Sequence, residues 1–219
     1  MDHPMITRRI ELGGISYITH PLGQDSAWYY GADSPAGDLY EALESAAAGR
    51  EVPGSRLFLV RFPDGKTVEP LPEKPGLILN DPLCWDGKLY ILAADIPEGT
   101  VTAYAFDEHT EDLTEVFRLP LADAGDGYNL LLHSQPLTLS LQPNDGTFTI
   151  LYPEKVTFSI GERETFNFRD GDRLYFTTWY EDPDYREETV AREAGTGREL
   201  DRFAGDIRLM PDGTGWHIS

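Results

Sequence analysis

Short apolar runs, rich in β-branched and aromatic residues and closed by polar or glycine turns, recur from residue 27 to residue 218. Such runs are strand signals, and their even recurrence argues for many short strands rather than a few long elements. The fullest unit has runs at 77–79 and 83–85 leading into Asp86-Gly87, after which 88–92, 101–106 and 113–119 complete four strands. A matching unit runs from 165–168 through Asp170-Gly171 to 173–180, 188–193 and 199–203. An earlier copy is partial, with strands at 27–30 and 56–62 and the Asp64-Gly65 turn. Residues 128–160 read as irregular, because Asp145-Gly146 adds a turn and the runs 137–141 and 156–160 fit no single register. The chain ends on a half unit at 207–218, and residues 6–12 are expected to supply its missing outer strand.

Asp-Gly occurs at Asp64, Asp86, Asp126, Asp145, Asp170 and Asp212. Tight hairpins select this dipeptide, since Gly adopts positive φ without steric cost and Asp bonds its own backbone. Four of the six are spaced by 40, 44 and 42 residues, the length of one four-stranded propeller blade. The expected fold is therefore all-β, a β-propeller-like ring of four or five small antiparallel sheets in a single domain over 1–219. A β-sandwich or irregular barrel is the alternative. One helix interrupts the strands at about 35–48: Ser34-Pro35 can start it, Leu39, Leu43 and Ala46 share a face, and Gly49 can stop it. The runs 13–18 and 87–92 resemble the second strand of kelch-type blades. The Gly-Gly pair of that motif is replaced by Ala93-Ala94, Thr178-Trp179 and Arg61-Phe62, so the resemblance implies architecture and no activity.

Eighteen Lys and Arg against 38 Asp and Glu give a net charge of −20. That charge repels phosphate backbones and anionic lipid, so nucleic acid and membrane are not expected as partners. The N-terminus shows no apolar leader core and no run approaches the ~20 residues of a membrane span, so the expected location is cytoplasmic. The single cysteine, Cys84, beside Trp85 and without a basic neighbour, reads as a small buried hydrophobe.

No nucleophile elbow, phosphate loop or dinucleotide fingerprint is present, and the five histidines lack metal-ligand spacing, so no cofactor or metal is expected. His20 and His133 each follow an apolar strand and precede a turn, which places both at strand ends where one opening could hold them. In Trp28-Tyr29-Tyr30 and Trp179-Tyr180, neighbours on a strand face opposite ways, leaving a ring on the outer side. The candidate binding residues are Trp28, Tyr30, His20, His133 and Trp179. The expected function is a non-catalytic binding or scaffold module for a protein, peptide or carbohydrate. The alternative is an enzyme acting on a glycan or similar polar substrate through carboxylates near the ring centre.

Overall fold

A computed structural model describes residues 7–218. The chain begins with β1 (Leu22–Gly23), β2 (Trp28–Asp33) and helix α1 (Leu39–Ala47), then β3 (Arg56–Arg61) and β4 (Thr67–Val68). Next come β5 (Leu77–Leu79), β6 (Leu83–Trp85), β7 (Lys88–Asp95), β8 (Thr100–Asp107) and β9 (Leu113–Pro120). Then follow β10 (Leu130–His133), β11 (Thr138–Leu141), β12 (Thr147–Tyr152) and β13 (Val156–Ser159). The last strands are β14 (Glu164–Asp170), β15 (Arg173–Tyr180), β16 (Arg186–Glu193), β17 (Glu199–Ala204), β18 (Asp206–Leu209) and β19 (Gly215–Ile218).

These strands form five small sheets in chain order: β2-β3-β4, β1-β6-β7-β8-β9 with β5 also on β7, β10-β11-β12-β13, β14-β15-β16-β17, and β18-β19. The 77–119 and 165–203 units are thus separate antiparallel sheets, as their matched patterns imply. Every pairing is antiparallel except β1 with β6.

The first four sheets pack face to face, and one core fills each of the three gaps between them. Trp28, Tyr30, Leu57 and Leu59 of the first sheet meet Leu89, Ile91 and Phe106 of the second. Tyr90 and Leu92 turn the other way, toward Leu139, Leu141 and Leu151 of the third. Phe148 and Ile150, on the third sheet's opposite face, pack on Phe166, Leu174, Phe176 and Val190 of the fourth. Because both faces are covered, β7 is apolar almost throughout instead of alternating with polar residues. Small sheets stacked in sequence around a shared axis are a propeller-like arrangement.

Four of the six Asp-Gly dipeptides sit between paired antiparallel strands, and in a fifth Asp170 closes β14 opposite Arg173, leaving Gly171 and Asp172 as the turn. Asp86 and Gly87 both take positive φ, 50° and 68°, in a two-residue turn between the partners Trp85 and Lys88. Both central residues then match the right-handed twist of the strands they join. Asp126-Gly127 instead precedes β10 in a connection between sheets, so the even spacing does not mark equivalent turns. A Cβ on Gly127 would come within 2.7 Å of Leu39, so glycine there lets α1 lie against this connection.

The helix starts later than its sequence suggests. Asp38, not Ser34, is the N-cap, and its side chain accepts from Glu41 N–H while the Glu41 carboxylate accepts from Asp38 N–H. Gly49 at φ 69° ends it, with Gly49 N–H donating to Ala46 and Arg50 N–H to Ser45.

Three further expectations change. Residues 128–160 contain a four-stranded meander, whose register shifts once, between Leu139 and Ser140, and whose short strands and proline-containing turns hide it in the sequence. Residue 6 lies outside the described residues, and 7–12 form no strand; Arg8 donates to Pro63 O across the β3–β4 hairpin instead. The β18-β19 hairpin pairs only with itself. Gly13-Gly14 lies in a turn outside any strand, whereas 87–92 runs into β7 as a second hairpin strand.

Candidate functional site

Two adjoining cavities mark where the sheets converge. One, of about 330 Å³, is lined by Ser34 just past β2, Ile78 and Leu79 of β5, and Leu131 of β10, with Asp38, Asn80 and Asp81 at its rim. The other, of about 260 Å³, is lined by His133 of β10, Asn167 and Phe168 of β14, and Arg208 and Leu209 of β18. Leu22, Leu83 and Leu132 border both. Strands of the second, third, fourth and fifth sheets, with Ser34 just past the first, therefore contribute to one trough.

Polar side chains tie these sheets together. Asn80 follows β5, where Asn80-Asp81-Pro82 interrupts an otherwise continuous apolar edge, and its Nδ2 donates to Leu130 O at 3.3 Å. Asn167 occupies a bulge between Phe166 and Phe168, and its Nδ2 donates to Ile207 O at 2.8 Å. The extra residue of a bulge re-aims its side chain, which here joins the fourth sheet to the fifth. Gln142 bridges the third and fourth sheets, donating to Glu164 O and accepting from Phe166 N–H.

The trough has an apolar floor and charged ends. Leu22 and Leu131 stand 58% and 47% exposed at its mouth. Asp38 and Asp81 lie at one end and Arg208 at the other, the latter held by Asp206 at 2.8 Å. Asp38 is committed to its helix cap. Asp81 lies near the Tyr30 phenol; burial, and then this carboxylate, raise the Tyr30 pKa above its ordinary value. Carboxylates with displaced pKa values elsewhere, Asp64, Asp107, Asp145, Glu193, Glu199 and Asp212, all move down, chiefly through hydrogen bonds from neighbours.

His133 is the one candidate that reaches the trough. Its Nε2 lies 2.9 Å from Ser140 Oγ, and its ring stands edge-on to Phe166 at 4.6 Å. Burial pushes its pKa down to about 4, so the imidazole is neutral at physiological pH.

The other four lie elsewhere. Trp28 and Tyr30 share the face of β2 that packs on the second sheet, so both belong to the core, and Tyr29 is the ring that turns outward. Trp28 is 1% exposed, stands edge-on to Phe106 at 5.2 Å, and donates Nε1–H to Glu108 O. His20 is exposed and lies 4.2 Å from Tyr29, bordering neither cavity, so the two histidines do not share an opening. Trp179 is 42% exposed on the fourth sheet beneath Arg163, also away from the trough. Leu22, Asn80, Asp81, Leu131, Asn167 and Arg208 also line the trough and are not among the residues the sequence pattern singles out. Of these, only the breaker Asn80-Asp81-Pro82 between two apolar triplets carries a local signal.

Burial, and then the Glu108 carboxylate, push the Cys84 thiol up to about 11, as suits a buried, unreactive side chain. Among the described residues no cluster of three or more His, Cys, Asp or Glu could hold a metal ion, and no helix is long and apolar enough to cross a membrane.

No known family model matches the chain, and no curated protein matches it. Among solved structures, it is similar to the β-propeller domain of the Trilobed protease from Pyrococcus furiosus, described as having an open velcro topology. Identity is 9% and the TM-score is 0.47, over 91% of this chain and 61% of that one. The chain thus spans about three fifths of that neighbour.

Proposed function

We propose that this protein is a non-catalytic binding module that seats an apolar side chain of a protein or peptide partner in the axial trough. The observation that carries the reading is the exposure of Leu22 and Leu131 at the mouth of a cavity floored by Ile78, Leu79, Leu83 and Leu132. A concave, mainly apolar site with a few polar groups at its ends is the usual form of a recognition pocket. The net charge of −20 favours a neutral or basic partner and disfavours a polyanion. A glycan-directed enzyme would need two available carboxylates roughly 5 to 9 Å apart. In this trough Asp38 is occupied by the Glu41 backbone.

Selection from a phage-displayed random peptide library tests the reading. Enriched peptides are expected to share an apolar anchor and to lose binding to Leu22→Ser and Leu131→Ser. Failure to enrich any peptide, or enrichment that both variants leave intact, would overturn it.

A further inference from the structure

A second, polar pocket opens at one end of the fourth sheet, and one of its lining groups has no protein partner. Thr178, on β15, is 5% exposed, and its Oγ1 makes no hydrogen bond. The pocket it lines is about 220 Å³ and is shared with Arg163, Tyr180, Arg202, Glu162 and Glu164. A buried hydroxyl without a partner forfeits the hydrogen bonds that water would give it, on the order of 1–3 kcal/mol.

The charged groups around it divide into those already engaged and those that are not. Glu164 is gripped by Arg192 at 2.8 Å and approached by Arg202 at 3.6 Å. Arg202 is engaged in turn by Glu199 at 2.9 Å and Glu188 at 3.3 Å. Arg163 makes no hydrogen bond or ion pair among the described residues. Its guanidinium lies over the rings of Trp179 and Tyr180, at 5.7 and 5.9 Å, with its donors unspent. Glu162 likewise has no basic partner among the described residues. The uncommitted set is therefore one guanidinium, one carboxylate and one hydroxyl.

We propose that this pocket binds a neutral, hydroxyl-rich ligand, a sugar residue of a glycan. An anion attracted by Arg163 meets the Glu162 and Glu164 carboxylates, and a cation attracted by Glu162 meets Arg163, so neither sign of charge gains overall. A sugar hydroxyl donates and accepts at once. Neighbouring hydroxyls can accept from Arg163 and donate to Glu162 while a third pairs with Thr178 Oγ1. Through Gly161, Glu162 and Glu164 the pocket adjoins a larger cleft of about 490 Å³, also lined by Asn144 and Asp145. A second residue of the same chain of sugars fits there.

The test is isothermal titration of the whole protein with cellohexaose, maltohexaose, mannohexaose and xylohexaose, with citrate and inorganic phosphate as anionic probes. At least one oligosaccharide is expected to bind, and Arg163→Gln and Thr178→Val are each expected to weaken it about tenfold, the equivalent of one lost hydrogen bond. Thr178→Val preserves shape and removes an unpaired hydroxyl, so its melting temperature is expected to match or exceed that of the parent, which separates lost binding from lost folding. Three results would each overturn the proposal: no oligosaccharide binds, binding is unchanged in both variants, or citrate or phosphate binds in a manner that depends on Arg163.

Discussion

Arg192 on β16 grips Glu164 at the start of β14 through two hydrogen bonds, Nε to Oε2 at 3.0 Å and Nη2 to Oε1 at 2.8 Å. The two side chains are only 12% and 4% exposed, and β15 lies between their strands. Removing Arg192 leaves the buried Glu164 carboxylate only the longer approach of Arg202 at 3.6 Å, which costs up to about 3 kcal/mol, whereas replacing both with apolar residues costs far less. Urea unfolding is expected to show Arg192→Met as strongly destabilised and Arg192→Met/Glu164→Leu as substantially recovered. Additive losses in the double variant would show that the two groups act independently.

Two glycines with nearly the same backbone angle separate conformational strain from crowding. Gly87 has φ 68° and open space where a Cβ would stand; Gly197 has φ 70°, and a Cβ there would lie 2.2 Å from Phe158 Cγ. Gly87→Ala is expected to cost about 1 kcal/mol from left-handed backbone alone. Gly197→Ala is expected to add a further ~1–3 kcal/mol of overpacking. Equal losses of stability in the two variants would contradict this.

Acid should weaken the fold in part through His133. Its folded pKa of about 4 lies below the ordinary 6.5, so between those values the unfolded chain binds more protons than the folded one. Its contribution is complete above about pH 6.5 and declines as pH falls toward 4. Between pH 7 and 4.5 the parent is expected to lose on the order of 2 kcal/mol more than His133→Gln, by chemical denaturation at each pH. Identical pH dependence in the two proteins would remove His133 from this account.

The tryptophans placed together as binding residues should part company in stability. Trp28→Ala empties the core between the first two sheets and is expected to cost about 3–5 kcal/mol. Trp179→Ala removes a half-exposed ring and is expected to cost about 1 kcal/mol or less. Thermal melts of both variants distinguish the two environments directly.

What was legible in the chain is what depends on neighbours in sequence. Asp86-Gly87, Asp145-Gly146, Asp170-Gly171 and Asp212-Gly213 announce hairpins because a turn's φ requirement is met by the residues within it. The start of α1 is ambiguous in sequence because two capping residues, Ser34 and Asp38, stand four positions apart, and the reciprocal bond to Glu41 favours the second.

The all-β class, most of the strands and their turns, and the end of the helix at Gly49 follow from local patterns of residues. Which side of each strand meets which neighbour depends on how the sheets stack. Strand periodicity says that Trp28 and Tyr30 share a face opposite Tyr29, but with sheets stacked on both sides an apolar run carries no mark of inside or outside. The trough depends still more on three dimensions. Leu22, Asn80, Leu131, Asn167 and Arg208 are far apart in the chain and ordinary in composition, and only the approach of different sheets brings Asn80 and Leu131 to one cavity and Asn167 and Arg208 to its neighbour, with Leu22 bordering both.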